Sequence, residues 1–343
     1  MSEQSNKIRL ISALLELDSV GPARALNAIR LLEVFPQEPE LLVEALHGIQ
    51  TKLGPAVGKY FNLTVSVARS IFDAADRMIE KCEQNEIKIA VPGASSFWSR
   101  IWDIPSAPAR LFYRGRLTDA VDQFGIAVIG TRHPSEFGKK SCARIVKRCV
   151  EQKLTIVSGL AIGCDTVAHE SAIQCGGFTI AVLAHGLDTV YPTINKRLAA
   201  EIIDTGGLLV SEYPPGEEMR PNYLVARDRL QSGLSRAVIV IESDLDGGSM
   251  HAANASIKQK RMLGCLNHPA ELRMGTKHQG NQKLILQDGA KSLGTPEELQ
   301  IFLDEINRIS TQLPKPTATK TQIPETPIQQ VDMYGTIIKP KKK

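Results

Sequence analysis

Between Ser158 and His169 the chain reads Ser-Gly-Leu-Ala-Ile-Gly-Cys-Asp-Thr-Val-Ala-His, a glycine-rich bend between the apolar run Leu154 to Val157 and a helix-like stretch. A strand tip feeding a helix holds unpaired amides at the positive end of the helix dipole, so it attracts phosphate or carboxylate, and glycine lets the ligand reach the backbone. The same arrangement occurs upstream, where Ile126-Ala-Val-Ile-Gly130 leads into Thr131-Arg132-His133-Pro134 and a polar helix start near Glu136. Two anion-facing turns in one sheet point to a phosphate-rich ligand. Hydrogen-bonding and cationic groups recur at the other strand ends: Ser158 with Gly159, Asn195 with Lys196 and Arg197, and Arg227 with Arg229. Together they would make a phosphate track, the arginines as planar two-bond forks and Lys196 as a mobile point charge.

Other residues near this track have a structural reading beside the chemical one. Tyr191, before Pro192 and the Asn195-Lys196 pair, is the best candidate for stacking on a base, although the position also suits a core-edge tyrosine. Ser249, in the glycine turn Asp244 to Met250, could cap a helix or touch phosphate. Asp165 and His169 have the spacing of an acid/base pair. A carboxylate at a helix start caps amides, however, and a histidine one turn later packs or bonds locally, so both are assigned structural roles. His185, His251 and His268 are isolated, with no HExxH and no metal-ligand spacing. Gly54-Pro-Ala-Val-Gly-Lys-Tyr60 is too short for a Walker A loop and lacks its final Ser/Thr. Neither cofactor nor metal is expected.

The elements that must position these residues follow from apolar periodicity. From Gly125 onward, β-like runs (Ile126 to Ile129, Leu154 to Val157, Phe178 to Leu183, Gly207 to Val210, Ala237 to Ile241) alternate with helical stretches. The helices are expected over Glu136 to Gln152, Thr166 to Cys175, Asn195 to Thr205, Tyr223 to Leu234 and Ser249 to Lys260, with a last strand near Met262 to Leu266. Alternating βα units imply a parallel sheet covered on both faces, with ligands outside the carboxyl ends of its strands. Residues 8 to 80 read as helices separated by Gly/Pro turns, and Val91 to Arg116 as a connector. The turn Ser19-Val-Gly-Pro-Ala-Arg-Ala-Leu26 has the form of a helix-hairpin-helix contact with DNA, but Gly-Pro turns join many helix pairs and the plain helix junction is the favoured reading. The expected organisation is a helical domain over 1–85, a Rossmann-like domain over 86–310 and a disordered basic tail over 311–343 that ends in Lys339-Pro-Lys-Lys-Lys343.

Composition sets few limits beyond an ordinary globular protein of 343 residues with 43% hydrophobic and 23% charged residues. The net charge of +4 is too small to argue for nucleic acid, so only a local basic surface could. Six scattered cysteines without a CxxC pair fit reduced thiols. With no signal-peptide core and no membrane-length apolar run, the expected location is the cytoplasm, away from the membrane.

Taken in order, the motifs resemble the DprA/Smf family of DNA-processing proteins. The resemblance runs through Gly130-Thr-Arg132, Ser158 to Asp165 with His169, Gly176-Gly-Phe-Thr-Ile-Ala-Val-Leu183, Gly186-Leu-Asp188, Tyr191-Pro192, Asn195, Gly206-Gly-Leu-Leu209 and Ser211-Glu-Tyr-Pro-Pro-Gly216. It continues through Arg227-Asp-Arg229, Gly233-Leu-Ser235 and Gly280-Asn-Gln-Lys-Leu-Ile285. It implies an extended Rossmann-like domain that binds and protects single-stranded DNA, dimerises, and loads a RecA-type recombinase on incoming DNA during natural transformation. It implies no enzymatic reaction. That role would fall on Arg132, Ser158, Gly159, Asn195, Lys196, Arg227 and Arg229, with Gly130, Tyr191 and Ser249 beside them.

Three features depart from the family pattern. Asp228 stands where asparagine is usual between the two arginines, either weakening phosphate binding or pairing an arginine. Asp246-Gly-Gly-Ser-Met-His-Ala252 and Leu266-Asn-His-Pro269 replace a Ser/Gly/Thr-rich turn and a Val-Pro-Gly, and no winged helix is read at the C-terminal end. Two alternatives remain. One is a nucleotide N-glycosidase of a related Rossmann-like type, though Gly247 to Asn254 offers no glutamate where that chemistry needs one. The other is a small-nucleotide sensor using the same anion-binding cleft.

Overall fold

The structure is a computed structural model that describes residues 2–93, 96–117, 125–273 and 277–312. These fall into two units, one ending at Phe112 and the other beginning at Tyr113. The tail expected from 311 lies, from residue 313 on, outside the described residues.

The first unit is a helical cluster: α1 (Glu3–Leu14), α2 (Pro22–Leu31), α3 (Pro39–Leu53), α4 (Pro55–Gly58) and α5 (Val65–Gln84), followed by the short strand β1 (Lys88–Ala90). Proline opens α2, α3 and α4, where a missing N–H costs nothing, and the Thr64 hydroxyl caps α5 through the Val67 amide. Leu10, Leu14, Leu42, Leu46, Phe61 and Phe72 form the core. In the Gly21-Pro22 turn, Arg24 donates to the Ser19 carbonyl and lies 4.3 Å over the Tyr60 ring, so its charge is engaged within the unit.

The second unit is an α/β fold. Strands β3 (Gly125–Ile129), β4 (Thr155–Ser158), β5 (Thr179–Leu183), β6 (Leu208–Ser211), β7 (Ser235–Val240), β8 (Met262–Leu266) and β9 (Lys291–Leu293) pair in the order β6-β5-β4-β3-β7-β8-β9. Every one of these pairings is parallel. The crossover helices are α6 (Glu136–Glu151), α7 (Cys164–Gln174), α8 (Lys196–Asp204), α9 (Pro221–Gly233) and α10 (Ser249–Lys258); α11 (Gln279–Leu286) and α12 (Pro296–Gln312) follow. Ile126 and Val128 of β3 and Ala237 and Ile239 of β7 pack against Cys142 and Ile145 of α6, Ala168 of α7 and Phe302 of α12. Both α9 and α10 contact β7. Burial from both sides explains why β3 to β7 read as continuous apolar runs without alternation.

The segment expected to be a connector carries structure. A 3₁₀ helix covers Ser96–Asp103 and β2 covers Leu111–Gly115, whose residues 113–115 lie beside β6. The chain past Leu266 likewise holds α11, β9 and α12, none of them among the elements expected from the sequence.

Candidate functional site

The strand order reverses at β3. The chain builds outward through β4, β5 and β6 on one side, then returns to place β7, β8 and β9 on the other. The connections leaving β3 and β7 therefore diverge and open a crevice at their carboxyl ends, the ligand position of doubly wound sheets. A cleft of about 420 Å³ lies there, bounded by Gly130 to His133 after β3, Ala161 and Asp165 after β4, Ser243 to Ser249 after β7, and one side of α9.

The turn after β3 is held from below. The Thr131 amide donates to the Glu242 carbonyl at 2.7 Å and the Cys164 amide to the Thr131 carbonyl at 3.1 Å. The buried Glu242 carboxylate accepts from the Ser135 amide at 2.8 Å, from the Ser135 hydroxyl, and from His268 Nε2 at 2.7 Å. Burial pushes Glu242 up, but the hydrogen bonds from His268 and Ser135 outweigh it and leave its pKa lowered. Glu242 thus stays a carboxylate that shapes the loop presenting Arg132.

The turn after β4 is held by side chains. The buried Ser158 hydroxyl donates to the Val128 carbonyl at 2.7 Å, tying β4 to β3. Asp165 Oδ2 accepts from the Gly159 and Ala161 amides at 3.1 and 3.4 Å, and Asn195 Nδ2 donates to the Leu160 carbonyl at 2.8 Å and to Thr166 Oγ1 at 2.9 Å. This turn needs unusual backbone: Gly163 sits at φ +87° and Leu160 at φ +60°. Because the Thr179 hydroxyl donates to the Ile156 carbonyl at 3.0 Å, His169 Nδ1 carries the proton in its 2.7 Å bond to Thr179. Burial, aided by the charge of Arg227, pushes His169 down to about 3, so the imidazole is neutral.

Arg227 fills the back of the cleft. Its guanidinium donates to the Val182 carbonyl at 2.5 Å and pairs with Asp228 at 3.2 Å, while Gln231, with its carbonyl turned inward, accepts from Arg227 at 3.2 Å and from the Gly159 amide at 2.8 Å. A Cβ on Gly159 would collide with that guanidinium, which is why this position takes no side chain. Burial pushes Asp228 up to about 7 against the opposing pull of Arg227, and burial also raises Asp165. Arg229 Nη2 donates to both oxygens of Glu212, at 2.7 and 2.9 Å.

Of the residues singled out in the sequence, Gly130, Arg132, Asp165, Arg227 and Ser249 line this one cleft. Ser158, Gly159, His169, Tyr191, Asn195, Lys196 and Arg229 do not. Arg132, Lys196 and Arg197 are exposed, with no hydrogen-bond or ion-pair partner among the described residues. Tyr191 is 44% exposed, whereas Tyr213 and Tyr223 stack on each other with ring centroids 4.0 Å apart. Ser249 opens α10 and its hydroxyl donates to Ser243 at 3.0 Å. Sequence reasoning missed Glu242, His268 and Gln231; a polar residue ending the apolar run of β7 was the available signal for Glu242. Asp228 was noticed, and it pairs Arg227.

A doubly wound parallel sheet with its cleft at the point of strand reversal defines a Rossmann-like binding domain. The family model for DNA recombination-mediator protein A matches residues 88–304, and the chain belongs to that family. It is 38% identical over 258 residues to Protein Smf of Synechocystis, covering 67% of this chain and 64% of that protein's length. The X-ray structure of DNA processing protein A (DprA) from Streptococcus pneumoniae superposes with a TM-score of 0.62 at 29% identity, over 81% of this chain and 96% of that one. DNA processing protein A from Helicobacter pylori, whose structure concerns a unique single-stranded DNA binding mode, gives 0.55 at 28% identity over 66% and 96%. Among the described residues, no helix is long and apolar enough to cross a membrane.

Proposed function

We propose that this chain binds single-stranded DNA at the cleft after β3 and β7, protects incoming strands, and passes them to a RecA-type recombinase in DNA processing for natural transformation or recombination. It acts as a cytoplasmic homodimer and by binding alone, with no reaction of its own. The helical part over 1–85, the domain over 86–310 and the basic tail over 311–343 are proposed as its working parts.

One observation carries this reading: Arg132, exposed and without a partner among the described residues, lines the cleft together with the amino end of α10, where phosphate is favoured by the side-chain charge and the helix dipole together. Lys196, Arg197 and the open ring of Tyr191 extend the path along the strand ends, one as a base platform and two as phosphate contacts. In this reading Gly130, Arg132, Tyr191, Lys196 and Ser249 meet the strand. Ser158, Gly159, Asn195, Arg227 and Arg229 hold the turns that present them.

The test is fluorescence anisotropy of a labelled oligo-dT titrated with the full chain at two salt concentrations, with duplex as competitor. Salt-sensitive binding that duplex competes for poorly is the expected result and leads to a recombinase-loading assay on that DNA. No binding at low salt would refute the proposal.

A further inference from the structure

The cleft has two ends of different chemistry. Its mouth carries Arg132 and the amino end of α10; its back carries two carboxylates around one guanidinium, Asp165 and Asp228 about Arg227. Asp165 has protein donors on Oδ2, the amides of Gly159 and Ala161. Asp228 has only the ion pair from Oδ1 to Arg227, and Oδ2 finds no donor among the described residues although the side chain is 14% exposed. An ionised carboxylate offers about four acceptor sites, and above about pH 7, the value to which burial pushes Asp228, its open Oδ2 faces the cleft in that form. Asp228 is therefore shaped for a ligand that brings N–H groups.

We propose that Asp228 selects guanine, accepting the adjacent N1–H and N2–H of a base inserted into the cleft while its phosphate stays at the mouth near Arg132. Guanine is the DNA base whose Watson–Crick edge carries two neighbouring donors. Adenine and cytosine place a donor beside an acceptor, and thymine holds one N–H between two carbonyls. That edge is open only in an unpaired base. Leu224 and Val225 supply an apolar wall for the ring, and a cleft of about 420 Å³ is within the range of small-molecule sites. The inference rests on the strand-binding reading only for the source of the base, since a free guanine nucleotide presents the same edge.

At about pH 8, above the value of about 7 to which burial pushes Asp228, the experiment compares oligo-dT carrying one central guanine with the same oligomer carrying adenine, cytosine or thymine there, and in parallel measures dGMP, dAMP, dCMP and dTMP by titration calorimetry. The expected result is at least about fivefold tighter binding for the guanine ligand. Asp228→Asn should abolish this preference and raise adenine and cytosine relative to guanine, since each of their edges matches the amide's one acceptor and one donor. Preference in the oligomer arm identifies a base within a strand; preference among mononucleotides alone identifies a free guanine nucleotide. Equal affinities for all four bases in both arms would overturn the inference, and the wild-type ranking decides this even if the variant does not fold. Failure of every oligomer to bind refutes the strand-binding reading separately, leaving the mononucleotide arm to decide on guanine.

Discussion

Arg132→Ala and Arg227→Ala remove the same guanidinium from the same cleft, and the structure assigns them opposite consequences. Arg132 is exposed and has no partner among the described residues, so its loss should change folding stability by no more than about 0.5 kcal/mol. If it holds one phosphate of a single strand, its loss should lower the slope of log affinity against log salt by about 0.7. Between about 50 and 200 mM salt, the wild-type advantage over the variant should then shrink by roughly 2.6-fold, which is four raised to that exponent. Arg227 is 6% exposed, holds the Val182 carbonyl and stands between Asp165 and Asp228. Removing it leaves two buried carboxylates without their cation, a loss of about 3 kcal/mol that softens at lower pH as Asp228 takes up a proton. For a unit of this size that corresponds to a fall in Tm on the order of 10 °C. Thermal unfolding followed by anisotropy titrations on the folded fraction separates the two effects. An unchanged salt slope in Arg132→Ala, or an Arg227→Ala protein as stable as wild type with a lowered slope, would refute the assignment and make Arg227 the phosphate ligand.

Other perturbations test the frame around the cleft. Gly159→Ala should destabilise by about 1 to 3 kcal/mol, because the new methyl meets the immobile Arg227 guanidinium; a urea midpoint equal to wild type would show that Arg227 can move aside. Asn195→Ala removes the hydrogen bonds to the Leu160 carbonyl and to Thr166 Oγ1 that fix the turn after β4, so it should cost about 1 to 3 kcal/mol and weaken oligonucleotide binding without altering the salt slope. A changed slope would place Asn195 on a phosphate. The pH dependence has two opposed parts. Asp228, pushed from 3.8 up to about 7, binds a proton in the folded chain where the unfolded chain does not, so its contribution to stability falls as pH rises through that window. His169, pushed from 6.5 down to about 3, does the reverse, and its contribution grows as pH rises from about 3 to 6.5. Each slope is at most about 1.4 kcal/mol per pH unit, so Asp228→Asn should gain stability more steeply than wild type between about pH 4.5 and 6.5. Parallel urea-midpoint curves for the two proteins would contradict this.

The fold was legible where burial leaves a periodic trace. Strands β3 to β8 are covered on both faces and stand out as apolar runs, and α6 to α10 fall between them with boundaries within a few residues of those read from the sequence. The short strands escaped because each is only three residues long: in Lys88–Ala90 and in Lys291–Leu293 only the last residue is fully inside, too brief a trace to set a strand apart from a loop. Helix α12 did carry a signal. Thr295 Oγ1 accepts from the Glu298 amide and Glu298 Oε2 from the Thr295 amide, both at 3.2 Å, a reciprocal cap written as Thr-Pro-Glu-Glu ahead of Leu299, Phe302, Leu303 and Ile306.

The site was legible by position but not by direction. Arg132, Arg227 and Arg229 all lie near the carboxyl ends of parallel strands, and residue type alone cannot say which of them faces outward. Their neighbours decide it: Glu212 holds Arg229, Asp228 and the Val182 carbonyl hold Arg227, and no described residue holds Arg132. The aspartate inside Arg227-Asp-Arg229 was the visible clue, since a carboxylate beside a buried guanidinium neutralises it before any ligand arrives. The same balance constrains how a strand would pass. With Asp165 and Asp228 at the back, the floor of the cleft is no place for phosphate, while its mouth has Arg132, without a partner among the described residues, and the positive end of α10. The backbone of a bound strand would therefore follow the rim, and the group turned inward would be a base.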